Sequence, residues 1–236
     1  MSNSTLPALF PDAPVRELVL PFRTRTFSLL VLENACALHS TLDGEAAEVY
    51  WGDLWPAALA LAGALLDHAI DLPPNSAVLE IGCGAGLISL AAAAAGGPTT
   101  RVIATDREPR ALLLAAENAR RNGLSEQIAT RQLNWSERST ERYSLILAGD
   151  CLYQSDACWQ LAGFIRDSLA DGGRAIVVDP DRWSARNFGL LARQAGLNVR
   201  TFQRRVPFAA AHGPVREICL NPAVPLDATF YELTIS

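Results

Sequence analysis

The sequence predicts an α/β fold: a doubly wound, Rossmann-like, mostly parallel seven-stranded sheet with an antiparallel C-terminal hairpin. Three observations carry that expectation. From Ala77 onward strand-like and helix-like segments alternate, the rhythm of a parallel sheet crossed by helices on both faces. An apolar strand from Val78 runs into glycines at 82, 84 and 86 and then into the helix-forming run Leu87 to Ala95, a turn at which bare backbone can approach a ligand. After Gly196 two strand-like segments follow with no full helix between them, and strands joined without a crossover pair antiparallel.

Taken in order, the segment Met1 to Pro21 carries four prolines and reads as an extended arm. Phe27 to Glu33 reads as a strand, hairpinned through Asp43-Gly44 with a following segment. A helix is expected from Pro56 to His68, with Pro56 at its first position. Its leucines do not share one face, so it should be largely covered. Strands are placed at 77–81, 101–106, 128–133, 143–148 and 173–179, and helices at 86–95, 109–122, 156–169 and 184–195. Gly123 and the pair Gly172-Gly173 are expected to cap the helices before them in the left-handed conformation. Leu197 to Phe208 and Thr229 to Ile235 make the closing antiparallel pair.

Composition fits this plan and excludes several chemistries. A chain of 236 residues, half hydrophobic and 19% charged, has material for a substantial core. It reads as an N-terminal arm or strand extension over 1–45 and one α/β domain over 46–236. No apolar stretch reaches the length of a membrane span, and Met1 to Asp12 carries no leader pattern. The cysteines Cys36, Cys83, Cys151, Cys158 and Cys219 form no C-x-x-C pair. They read as reduced thiols of a cytoplasmic protein, with no metal site expected. A net charge of −5 argues against a general affinity for nucleic acid, which needs clustered positive charge. All 20 basic residues are arginine, so a Schiff-base or P-loop lysine is excluded.

The glycine spacing separates nucleotide classes. The dinucleotide fingerprint G-x-G-x-x-G would put its third glycine at position 87, which is Leu87. The chain instead has Glu80-x-Gly82-x-Gly84-x-Gly86. Asp106 follows at the end of the next strand, where a carboxylate can bond both hydroxyls of a ribose. This pattern resembles motif I of the class I methyltransferases that use S-adenosyl-L-methionine. The resemblance implies that Gly82, Cys83, Gly84 and Gly86 lie against the methionine part of that cofactor, that Glu80 helps orient it, and that Asp106 takes its ribose.

In an open α/β sheet the ligand lies beyond the carboxyl ends of the strands, so the residues just after each strand are informative. These are Leu133-Asn134-Trp135, Gly149-Asp150-Cys151-Leu152-Tyr153 and Asp179-Pro180-Asp181. Asn134 can offer an amide to an adenine edge and Trp135 a flat face beside it. Trp51 and Trp55, within Tyr50-Trp51-Gly52-Asp53-Leu54-Trp55-Pro56, suggest an aromatic wall. For both, a turn asparagine and ordinary core packing are the competing readings.

Together, Trp55-Pro56 opening a helix, the glycine turn, Leu133-Asn134-Trp135 and Asp150-Cys151-Leu152-Tyr153 resemble the seven-β-strand protein-lysine methyltransferases known as methyltransferase family 16. That group carries D-x-x-Y after its fourth strand, matched by Asp150 and Tyr153. The order Tyr50-Trp51, then Trp55-Pro56, is most similar to the branch that modifies the β subunit of electron-transfer flavoprotein. The likeness covers about residues 48 to 181, with one departure: Asn134 stands where the group commonly has aspartate. It implies a protein substrate, S-adenosyl-L-methionine as cofactor, Gly149 in the cofactor pocket, Asp150 aiming the incoming amine and Tyr153 walling its channel. Asp150 as a cap for the helix near Ser155 is the competing reading. A small-molecule N- or O-methyltransferase, or a non-catalytic cofactor-binding module, stays open on the same fold.

Overall fold

The molecule, a computed structural model, is described over residues 10, 14–33, 49–75, 77–137, 139–206 and 226–235. Its centre is a run of parallel strands: β3 (Ala77–Ile81), β4 (Arg101–Asp106), β5 (Ile128–Gln132), β6 (Tyr143–Gly149) and β7 (Leu169–Asp179). β3 and β6 are near-continuous apolar runs because both faces of the sheet are covered. Alternate residues go to opposite sides. Val78, Leu145 and Leu147 pack with α1 (Pro56–Leu66), α2 (Leu87–Gly96) and α3 (Pro109–Arg121). Leu79, Ile81 and Ile146 pack with α4 (Ser155–Ser168) and α5 (Phe188–Gln194).

The sheet order is β5-β4-β3-β6-β7-β9-β8, where β8 is Asn198–Val206 and β9 is Leu226–Thr234. β9 lies between β7 and β8 and runs antiparallel to both. The seven-stranded, mostly parallel sheet with an antiparallel C-terminal pair is therefore the observed architecture. Strand order reverses at β3, whose neighbours are β4 and β6, and this places a ligand crevice at the carboxyl ends of β3 and β6.

The helix boundaries follow local chemistry. Pro56 opens α1, and nine of its eleven residues are buried, as a helix apolar all round requires. α3 starts with Pro109 behind Glu108, whose side chain accepts the Arg110 N–H. It ends in a Schellman motif in which Leu124 N–H donates to Ala119 O at 2.9 Å and Gly123 N–H to Arg120 O at 3.2 Å.

Several expectations need correction. Val15–Pro21, read as part of an arm, is strand β1, and its partner is β2 (Thr26–Leu32), which follows it through a tight turn. The strand near Phe27 therefore hairpins backward; Asp43-Gly44 lies outside the described residues. Gly172 does not cap α4, which ends at Ser168 with Leu169 already extended. Gly172 takes a left-handed conformation inside β7 instead, which begins early and shifts register against β6. The helix expected over 184–195 is a short 3-10 turn (Trp183–Ala185) followed by the seven-residue α5.

One fully buried side chain joins the hairpin to the glycine turn. Asn118 of α3 accepts the Leu30 N–H at 2.7 Å and donates to Leu30 O at 3.0 Å and Ala85 O at 2.8 Å. Ala85 belongs to the glycine turn. Among the described residues, no helix is long and apolar enough to cross a membrane, and no cluster of potential metal ligands occurs.

Candidate active site

A cavity of about 430 Å³ opens at the crevice that the strand order dictates. Gly82, Gly84 and Asp106 line it, together with Gly149, Asp150 and Tyr153. Trp51, Trp55 and Trp135 supply flat walls. Nine of the residues singled out in the sequence thus meet in one place.

The glycine turn is built by its contacts. Gly84 has φ +50°, and a Cβ there would lie 3.0 Å from Trp51 O, so no side chain fits between the turn and the aromatic wall. Its N–H donates to Asp106 Oδ2 at 3.0 Å, while Asp106 Oδ1 accepts the Glu108 N–H at 3.0 Å. Each carboxylate oxygen keeps a lone pair for another donor. Burial raises the Asp106 pKa, and the Glu108 and Gly84 N–H bonds oppose that rise.

Four of the sequence candidates do not line the cavity. Gly86 faces away, with φ +81° and Ala115 of α3 where its Cβ would stand; it is required by helix packing. Cys83 is buried behind the turn, its N–H bonded to Thr105 O at 2.8 Å. Glu80 is fully buried and accepts the Ser89 N–H at 2.9 Å and the Ser89 hydroxyl, so it anchors the first turn of α2. Burial pushes its carboxyl up to about 8 against those hydrogen bonds. Asn134 is exposed, with its Oδ1 accepting the Ser136 N–H at 3.1 Å in a local turn; this is the turn-asparagine reading.

Asp150 is the most constrained group. It follows β6 with φ +60° and is 9% exposed. It does cap a helix, but the one expected near Ser155 is not the one. Its Oδ2 accepts the Ala57 N–H at 2.6 Å and the Ala58 N–H at 3.3 Å, supplying the cap that Trp55 lacks at the start of α1. Its Oδ1 lies 2.5 Å from Arg182 Nη2, yet no well-directed hydrogen bond reaches that oxygen. Burial raises the Asp150 carboxyl to about 6, with the Arg182 charge pulling the other way.

The rim beside Asp150 is aromatic. The Tyr50 ring stands 5.7 Å from Trp55 and 6.3 Å from Tyr153, and Trp55 Nε1 donates to Tyr50 O at 2.7 Å. Such a rim offers flat apolar faces beside the carboxylate.

The sequence profile of the lysine methyltransferase family matches residues 41–186, more than half of the 236 residues. The chain belongs to the lysine methyltransferase family. Among related lysine methyltransferases, the enzyme for the electron transfer flavoprotein β subunit from Xenopus laevis is 31% identical over 134 residues, 56% of this chain and 53% of the relative. The mouse protein of the same description is 29% identical over 135 residues, 56% of this chain and 51% of the relative. The chain thus spans about half the length of these curated relatives. A solved ribosomal protein L11 methylase from Lactobacillus delbrueckii subsp. bulgaricus superposes with a TM-score of 0.54 at 18% identity, covering 75% of this chain and 77% of that one. This likeness establishes the fold. Membership of the lysine methyltransferase family implies use of S-adenosyl-L-methionine.

Six lining residues of this lysine methyltransferase were not among the sequence candidates: Tyr50, Arg107, Glu108, Cys151, Gln154 and Arg182. Tyr50 was visible beside Trp51. Arg182 follows Asp179-Pro180-Asp181, a segment recognised as facing the crevice, but the turn that returns its guanidinium to Asp150 leaves no periodic signature.

Proposed function

We propose that the protein transfers a methyl group from S-adenosyl-L-methionine to lysine side chains of a protein substrate. The observation that carries this reading is the meeting, in one cavity, of the glycine turn with Asp106 and of the buried Asp150 carboxylate, whose Oδ1 has the Arg182 guanidinium as its charged partner.

The lining suits a sulfonium nucleoside. Bare backbone at Gly82 and Gly84 allows close approach, the spare lone pairs of Asp106 match a pair of ribose hydroxyls, and the tryptophans offer faces for a purine. That cofactor would supply an activated methyl carbon, which the acceptor nitrogen takes as the C–S bonding pair returns to sulfur. The chain's own residues place the acceptor. Tyr50, Trp55 and Tyr153 guide an aliphatic stem. Asp150 Oδ1 accepts a hydrogen bond from the arriving nitrogen and aims its lone pair. Holding reactants in line is worth roughly 7 to 11 kcal/mol at best.

Only a neutral amine attacks, and lysine ordinarily keeps its proton to about pH 10.4. Burial among aromatic rings lowers that value, and the displaced proton leaves to solvent at the open rim. Residues 46–236 form the methyltransferase domain in this reading, and 1–45 form its N-terminal extension; the separate β1–β2 sheet supports that division. The β subunit of electron-transfer flavoprotein is the first substrate to try, on the strength of the relatives bearing that description.

The test is incubation of the protein with labelled S-adenosyl-L-methionine and either purified electron-transfer flavoprotein β subunit or a lysate, followed by gel and mass spectrometry. A labelled protein band with methylated lysine supports the reading. Label found only in small molecules, or none at all, overturns it.

A further inference from the structure

Arg182 lines the cavity beside Asp150, and the chemistry above gives it no task. Its position is fixed on several sides. Nη2 lies 2.5 Å from Asp150 Oδ1 and Nη1 lies 2.9 Å from Asp179 Oδ2. Its backbone N–H donates to Asp179 Oδ1 at 2.7 Å, and its guanidinium carbon stands 5.7 Å over the Trp55 ring. Asp179 itself is fully buried at the end of β7. A planar fork with five donors can grip two carboxylates and lie on an aromatic face at once, which a lysine ammonium cannot do.

Building on the lysine-methylation reading, we propose that Arg182 is a positioning residue of the acceptor site. Asp179 and Trp55 hold its guanidinium, and the guanidinium holds Asp150 ionised with one Oδ1 lone pair directed at the cavity.

The charge balance supports this division of labour. Asp150, Asp179 and Arg182 together carry one net negative charge, enough to draw in an ammonium while leaving Asp150 an acceptor. Removing the guanidinium would leave two buried carboxylates as neighbours, and like charges in low dielectric favour taking up a proton. A protonated Asp150 donates where it should accept. Around Asp150, the Arg182 charge and the Ala57 N–H favour the carboxylate, whereas burial and Asp179 oppose it. The Cys151 thiol, next in the chain, is held protonated by burial. Across the cavity stands Asp106, and behind the glycine turn the buried Glu80.

The experiment compares wild type with Arg182→Met and Arg182→Lys. It uses the pH profile of kcat and KM, calorimetry with S-adenosyl-L-methionine, and a carboxyl ¹³C titration of Asp150 in the protein alone. For Arg182→Met the acid limb of kcat is expected to move up by about one pH unit or more. Cofactor affinity should stay within about twofold, a change of about 0.4 kcal/mol. Added guanidinium should restore part of the rate, and Arg182→Lys should fall between the two. An unchanged acid limb, or an equal loss of rate at every pH, overturns the proposal. If wild type methylates no protein, the functional reading fails by itself. The ¹³C titration then decides, because an Asp150 midpoint that does not rise in Arg182→Met sinks the positioning role. Should that variant not fold, Arg182→Gln takes its place in the titration.

Discussion

Asp106 Oδ2 accepts the Gly84 N–H at 3.0 Å, so the acid ending β4 and the glycine turn after β3 form one piece. A substitution at 106 therefore removes the proposed ribose ligand and also slackens the turn. Asp106→Ala is expected to weaken S-adenosyl-L-methionine binding by about 100-fold or more in calorimetry, given the 1.5 to 3 kcal/mol typical of a hydrogen bond to a charged group. Binding within threefold of wild type would remove Asp106 from the cofactor site.

Asp150 has two duties that different substitutions separate. Asp150→Asn keeps an oxygen for the Ala57 N–H but loses the charge. It should bind cofactor normally and transfer methyl groups about 100-fold more slowly. Asp150→Ala should lose transfer as well and be about 1 kcal/mol less stable than the asparagine variant in urea, because α1 then lacks its cap. Wild-type transfer by either variant would count against lysine as the acceptor.

Gly86 serves packing where Gly84 serves the cavity. Gly86→Ala puts a methyl group 3.0 Å from Ala115 Cβ at a backbone φ of +81°, a strain of roughly 1 to 3 kcal/mol. Thermal unfolding should show a lowered Tm, with cofactor affinity preserved at temperatures where the variant is folded. A weakened affinity with an unchanged Tm would reverse this assignment.

The buried Glu80 sets a pH dependence of stability. Its carboxyl titrates near 8 when folded, against a reference value of 4.5, so the folded state binds the proton more tightly. Its contribution is fully present below pH 4.5 and is lost as pH rises through 8, at about 1.4 kcal/mol per pH unit within that window. Glu80→Gln keeps an acceptor for Ser89 and carries no charge. Denaturation between pH 5 and 9 should show the wild type losing stability relative to the glutamine variant; parallel curves would contradict the buried charge.

The fold was legible in the sequence where a single physical demand wrote the pattern. Strands covered on both faces must be apolar throughout, as in Leu145 to Ala148, and tight turns demand glycine, as at 84. The site was legible to the extent that residues follow strand ends: Asp106, Trp135 and Asp150 all reach the cavity. What stayed hidden was set by distant partners. Glu80 turned to Ser89, Gly86 to Ala115, and Asp150 to a helix more than ninety residues earlier in the chain. Asn134 spent its side chain on its own turn, a local bond that competes with any ligand. The partner of β2 was missed because prolines obscured the alternation of Val15 to Pro21.

The Asn118 amide joins the hairpin backbone at Leu30 to the glycine-turn backbone at Ala85. Leu30 lies before the segment that defines the family, yet it completes the lattice of bonds behind the glycine turn. A minimal catalytic fragment cut at the family boundary would leave Asn118 facing solvent and that loop without its brace. The smallest stable unit is therefore larger than its signature.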